Sequence, residues 1–95
     1  MTIEQAREAL QEALKAPVRP ARHVRKELEA KLSEGADPLL ERLHSLIKST
    51  DMRTSPLYVR MIQAACVLAP TLPEDVAHTL LDEVANTTKR FHLAR

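Results

Sequence analysis

The chain of 95 residues contains one glycine, one cysteine, one tyrosine, one phenylalanine and no tryptophan. Each scarcity excludes something. Tight β-hairpins draw on Gly, Asn or Asp for backbone at positive φ, so a sheet with several such turns is excluded. A lone cysteine cannot close an intrachain disulfide, which suits a reducing compartment. The near absence of aromatics removes the stacking platforms on which single-stranded nucleic acids are held. Charge of one sign is lacking as well. Lys and Arg number 14 against 13 Asp and Glu, a net +1, so no overall field demands a polyanion. The N-terminus shows no basic start followed by an apolar run and a small-residue cleavage site, so a cytoplasmic location is expected. No apolar run approaches the roughly 20 residues that span a bilayer, and no membrane association is expected.

What the chain has in abundance is Ala, Leu, Glu, Lys, Arg and Gln, the good helix formers. Its length suits one helical domain over residues 1–95, large enough to bury a modest core without disulfides or metal. The densest apolar stretch is residues 57–69, LYVRMIQAACVLA, broken only by Arg60 and Gln63. At 100° per residue, Arg60, Gln63 and Val67 form one narrow strip. Tyr58, Met61, Ile62, Ala65, Leu68 and Ala69 fall on the opposite arc, with Leu57, Val59, Ala64 and Cys66 on the flanks. A helix apolar round most of its circumference needs neighbours on several sides, so this one is expected at the centre of the fold.

The rest of the chain reads as helices around it. Thr2 and Gln5 form a capping box, followed by Ile3, Ala6, Leu10, Ala13 and Leu14 at helical spacing, ending near Lys15 or Ala16 before Pro17. A second helix is expected from Pro20 to Ser33 on a stripe of Ala21, Val24, Leu28 and Leu32, with Gly35 closing it in the left-handed conformation. Asp37-Pro38 opens a third, to Ser49, with Leu39, Leu40, Leu43, Leu46 and Ile47 on one face. Ser55-Pro56 repeats the cap-then-proline device ahead of the central helix. Thr71 and Glu74 suggest a capping box for the fifth helix. Its inner face is Val76, Ala77, Leu80, Leu81, Val84 and Ala85, and its stripe continues to Phe91 across two β-branched threonines.

Pro20, Pro38, Pro56 and Pro73 are each expected to open a helix, at intervals of 18, 18 and 17 residues. Helical-hairpin repeats have such periods. The residues within the units do not match, so the expectation is an all-α, compact bundle of about five short helices in antiparallel hairpins rather than a stacked array.

Candidate chemistry is sparse. None of His23, His44, His78 and His92 stands in a recognised metal spacing with Cys, His or a carboxylate. His78 and Asp82, four apart, could touch a cation weakly, but a solvated helix face explains them. Cys66 lies beside the most apolar arc, where burial keeps a thiol protonated. No phosphate loop, nucleophile elbow or aspartate-rich metal motif is present. No catalytic residue, metal or cofactor is therefore assigned, and the chain is not expected to be an enzyme.

The informative feature is charge segregation. Arg19, Arg22, Arg25 and Lys26 place four cations in eight residues without an acid. Lys89, Arg90 and Arg95 form a second basic cluster, and residues 74–83 carry four acids and no Lys or Arg. These seven basic residues are the candidate binding residues. They suit contact with an acidic protein or a second copy of the chain. The alternative is a nucleic-acid-binding accessory protein, in which the same residues grip phosphates. A helix-turn-helix reader fits poorly, because the helix after the only candidate turn is rich in leucine. The first expectation is thus a small non-catalytic protein acting through protein–protein contacts, as a regulator, adaptor, inhibitor, chaperone or small subunit of an assembly.

Overall fold

Five α-helices account for most of the chain: α1 (Ile3–Lys15), α2 (Ala21–Glu34), α3 (Pro38–Lys48), α4 (Pro56–Leu68) and α5 (Glu74–Leu93), with a 3-10 turn at Ala69–Thr71 between the last two. The computed structural model describes residues 1–17, 19–50 and 53–93, with 88–93 described by backbone alone. The all-α bundle expected from the sequence is what forms. The Cα radius of gyration is 12.7 Å, close to the value of about 12.4 Å for a compact chain of this length.

The helices begin where local chemistry prescribes in two clear cases. Gln5 N donates to Thr2 Oγ1 at 3.2 Å and Thr2 N to Gln5 Oε1 at 2.9 Å, the reciprocal capping box. Asp37 Oδ1 accepts from Leu39 N and Leu40 N at 2.9 and 3.2 Å, with Pro38 in the first turn. Three other local expectations fail. Gly35 is not left-handed; its φ of 167° and ψ of 153° are extended backbone, and α2 ends with Gly35 N donating to the Leu32 carbonyl at 3.3 Å. Ser55 holds the cap position of α4 but its side chain accepts no capping bond. Thr71 lies inside the 3-10 turn, where its hydroxyl donates to the Leu68 carbonyl at 2.6 Å, so no capping box opens α5. The prolines also divide. Pro38 and Pro56 sit in first turns, while Pro20 is the cap residue of α2 and Pro73 precedes α5.

Side chains choose the neighbours. The stripes expected for α1, α2, α3 and α5 are buried, centred on Ala6 and Leu10, Val24 and Leu28, Leu43 and Ile47, and Leu80, Leu81 and Val84; the side chain of Phe91, expected to extend the α5 stripe, lies outside the described set. They converge on α4, which touches all four other α-helices. Tyr58, Ile62, Ala64, Ala65 and Cys66 are buried on it. Short loops make α2 and α3 an antiparallel hairpin. α1 packs on α4 and α5, which are remote in sequence, so the helices do not form a stack in which each unit meets only the next. α5 continues through Thr87, whose hydroxyl donates to the Glu83 carbonyl at 2.9 Å and so compensates its β-branched cost.

Two residues of α4 depart from the helical wheel. Gln63, expected on the polar strip, is buried. Cys66, on the neighbouring flank of the wheel, has Sγ 3.9 Å from the Leu43 carbonyl, so α3 lies against that flank. Leu57, expected on an apolar flank, is 60% exposed.

Ile62 has no exposure, so Ile62→Ala should cost about 2–5 kcal/mol of stability, read from urea unfolding; a loss near zero would contradict its central place. A Cβ at Gly35 would meet nothing within 4 Å. Because its backbone is extended, Gly35→Ala should raise stability by about 0.4–1 kcal/mol through the unfolded state, whereas a left-handed cap would make the same change destabilising.

Candidate functional site

α2 carries the first candidate surface. Its core stripe, Val24 and Leu28, directs Arg22, Arg25, Lys26 and Glu29 outward, and all four are exposed. Arg25 lies 3.9 Å from Glu29, one helical turn on, and Glu29 also meets His44 Nε2 of α3 at 3.2 Å. Arg22 and Lys26 have no ion pair among the described residues. The fourth expected member of this cluster goes elsewhere. Arg19 folds back onto Glu27, which lies on the opposite flank of α2. The basic segment is therefore split: Arg22, Arg25 and Lys26 face outward, and Arg19 faces the side on which α2 meets α4. Lys89 and Arg90 lie on the last turns of α5, with side chains outside the described set, and Arg95 lies outside the described residues.

Two of the four acids of α5 are taken up by helices that the charge pattern alone did not identify. Glu83 receives Arg7 of α1, with Nε donating to both carboxylate oxygens at 2.7 and 3.2 Å. Asp82 receives Arg42 Nη2 of α3, and Arg42 Nη1 also donates to the His78 carbonyl at 3.1 Å and lies 3.3 Å from His78 Nδ1. The guanidinium thus occupies the position between His78 and Asp82 where a cation would have to sit. No group of three or more His, Cys, Asp or Glu among the described residues is arranged to hold a metal. Arg7 and Arg42 sit on stripes read first for their apolar members, which is why they escaped notice. Their spacing from core residues was the available signal.

Cys66 is buried. Desolvation pushes its thiol from 9.0 up to about 12, so it is protonated at neutral pH and poorly suited to nucleophilic attack.

The second candidate surface was not singled out by charge. Val67 is 57% exposed on the outer stripe of the central helix. A hollow of about 270 Å3 opens on one side of it, with Val24, Leu28 and Cys66 in its wall and Arg19, Glu27 and Lys31 at its edge. On the other side a hollow of about 240 Å3 is lined by Ala13, Ala16, Pro17 and Ala64, again with Arg19. Val67 and Arg19 belong to both. α1 and α2 form the walls of this seat, and α4 forms its floor. A separate apolar hollow of about 270 Å3 lies between α1, α4 and α5 under the Arg7–Glu83 pair. Its rim charges already cancel. The clue to the Val67 seat was present on the wheel, where an apolar residue fell on the strip otherwise marked by Arg60.

No helix among the described residues is long and apolar enough to cross a membrane. Arg42→Ala should lower stability by about 1–2 kcal/mol, because it removes charge-assisted bonds across α3 and α5. Exchange of the exposed Lys15, paired one turn away with Glu12, should change it little. Cys66 should resist thiol reagents at neutral pH and react once urea unfolds the chain; fast native labelling would show an open, ionisable thiol. Comparison with protein-family models, with curated proteins and with solved structures found no match to this chain.

Proposed function

We propose that this chain is a small non-catalytic helical protein that works by binding another protein. The observation that carries the reading is the open stripe of α4. Val67 is left exposed between two hollows, and Leu57 is exposed near the start of the same helix. Apolar surface left open between polar rims is characteristic of contact sites. Three of the groups that bond-making chemistry would call on are committed elsewhere, while His23 is exposed and the His92 side chain lies outside the described set. The Cys66 thiol is buried and protonated, while His44 and His78 are engaged by Glu29 and Arg42. The reading places the protein in the cytoplasm, where a lone buried thiol is stable. A role as regulator, adaptor, inhibitor, chaperone or small subunit is compatible with such a surface.

A second reading rests on Arg22, Arg25 and Lys26 at the outer face of α2, which suit a line of phosphates. It makes the chain a nucleic-acid accessory protein with Lys89, Arg90 and Arg95 as added contacts. A second copy of the chain is a further partner for the first reading.

Val67→Asp should leave the folded stability within about 0.5 kcal/mol and abolish co-purification of the native partner from source lysate. Arg22→Glu with Arg25→Glu should leave that capture intact. If the charge-reversed variant alone loses its partner, and its binding falls steeply with salt in a mobility-shift assay, the nucleic-acid reading replaces the first. Sedimentation across a concentration series reads self-association directly.

A further inference from the structure

We infer that the seat around Val67 receives an acidic amphipathic helix from a partner protein. This rests on the protein-binding reading and adds the chemistry of the partner. The argument begins with shape. Leu57, Arg60 and Val67 are exposed along one side of α4 over about 15 Å at 1.5 Å per residue, with the buried Ala64 as floor between Arg60 and Val67. Apolar anchors at i, i+4 and i+7 of a docked helix span about 10 Å and so fit within it. The hollows on either side of Val67 provide places for two such anchors, one against the small side chains Ala13, Ala16 and Ala64, the other against Val24 and Leu28.

Charge then selects the occupant. α4 contains no Asp or Glu, and its one charged residue, Arg60, is exposed about two turns before Val67 on the same stripe. Arg19 and Glu27 pair at the edge of the seat and cancel, which leaves Lys31 there and Arg60 on the stripe as cations with no ion pair among the described residues. The surroundings of the apolar surface are therefore net positive, which attracts a segment with carboxylates beside its apolar stripe. A symmetric contact with a second copy would bring these same cations together across the axis, where like charges repel. Of the four acids of this chain's own α5, Asp82 and Glu83 are bound by Arg42 and Arg7, and Glu74 and Asp75 at its start are exposed, so the self-association arm of the test below decides against a second copy. A nucleic acid would meet an apolar floor lined by Ala and Val, with no aromatic side chain to stack on.

The test uses the full chain and two synthetic amphipathic helices that share one leucine stripe, with Glu on the polar face of one and Lys on the other. Fluorescence anisotropy measures affinity, and amide chemical shifts locate the contact. The Glu peptide is expected to saturate and to shift residues around Val67, with the Lys peptide at least about tenfold weaker, as expected where like charges meet. Val67→Asp, checked for helicity by circular dichroism, should weaken the Glu peptide by about tenfold or more, the scale of a central contact residue. Arg60→Glu with Lys31→Glu keeps the apolar floor and should reverse the preference between the peptides. Equal binding of both peptides, no saturation by the Glu peptide, or shifts confined to another face would overturn the inference. Concentration-dependent self-association abolished by Val67→Asp would also overturn it, while leaving the protein-binding reading in place.

Discussion

The fold depends on covering α4. Its core arc carries Tyr58, Ile62 and Ala65, continued by Ala69 in the 3-10 turn, and its flanks bring in Ala64 and Cys66, all of them buried. No single amphipathic stripe can cover such an arc, because a surface helix presents only a limited apolar face. Four stripes therefore converge on it, and the chain connectivity has to yield to that requirement. α1 passes over its sequence neighbours and lies on α4 and α5. The short loop through Gly35, Ala36 and Asp37 keeps α2 and α3 together, so that the pair meets α4 as one hairpin. Small residues on α4 allow close approach, while Leu and Ile from the surrounding helices supply most of the buried volume.

Charge refines this arrangement rather than driving it. From Glu74 to Glu83, α5 has acids but no Lys or Arg of its own, so partners must arrive from helices that hydrophobic packing has already brought near. Arg7 and Arg42 reach Glu83 and Asp82 from α1 and α3 respectively. Exposed pairs of this kind contribute about 0–1 kcal/mol each, which is too little to assemble the bundle. A sliding helix, however, would break them, and Arg42 has three acceptor-side atoms to satisfy at one register. The pairs consequently discriminate between registers that the apolar stripes alone would tolerate.

What could be read in advance follows the range of the interaction. The helices, their inner stripes and the caps at Thr2 and Asp37 depend on residues within a turn or two, and all were legible. Gly35, Ser55 and Thr71 have the right residue types for terminators and caps, but backbone direction at a helix end is set by where the next helix must go. At Thr71 a 3-10 turn follows α4 and removes the cap geometry. Gln63 and Leu57 exchanged their expected environments for the same reason. The wheel ranks faces by their own side chains, whereas coverage depends on which neighbour closes over them. Among the candidate binding residues, the outward position of Arg22, Arg25 and Lys26 was readable from the wheel of α2. The departure of Arg19 to Glu27 was not, because Arg19 precedes the helix and its direction comes from the connection between Pro17 and Pro20.

That departure of Arg19 bears on how an open apolar seat remains compatible with a well-packed domain. Arg19 and Glu27 are both about half exposed, so their pairing costs little desolvation and holds two charges at the edge of the hollow rather than within it. An incoming carboxylate can exchange with Glu27 for the guanidinium without stranding a buried charge, because Glu27 returns to water. The energetic penalty of opening the rim is therefore small compared with breaking a buried pair, which leaves an uncompensated charge and costs about 3–5 kcal/mol. The same exchange would favour an acidic partner over a neutral one and an apolar partner over a purely ionic one. The outer face of α2 differs in this respect, since Arg22 and Lys26 present charge without an adjoining apolar floor. On the proposed reading the two faces of α2 would select by different physics: the side toward α4 by shape and charge together, and the outer side by charge only.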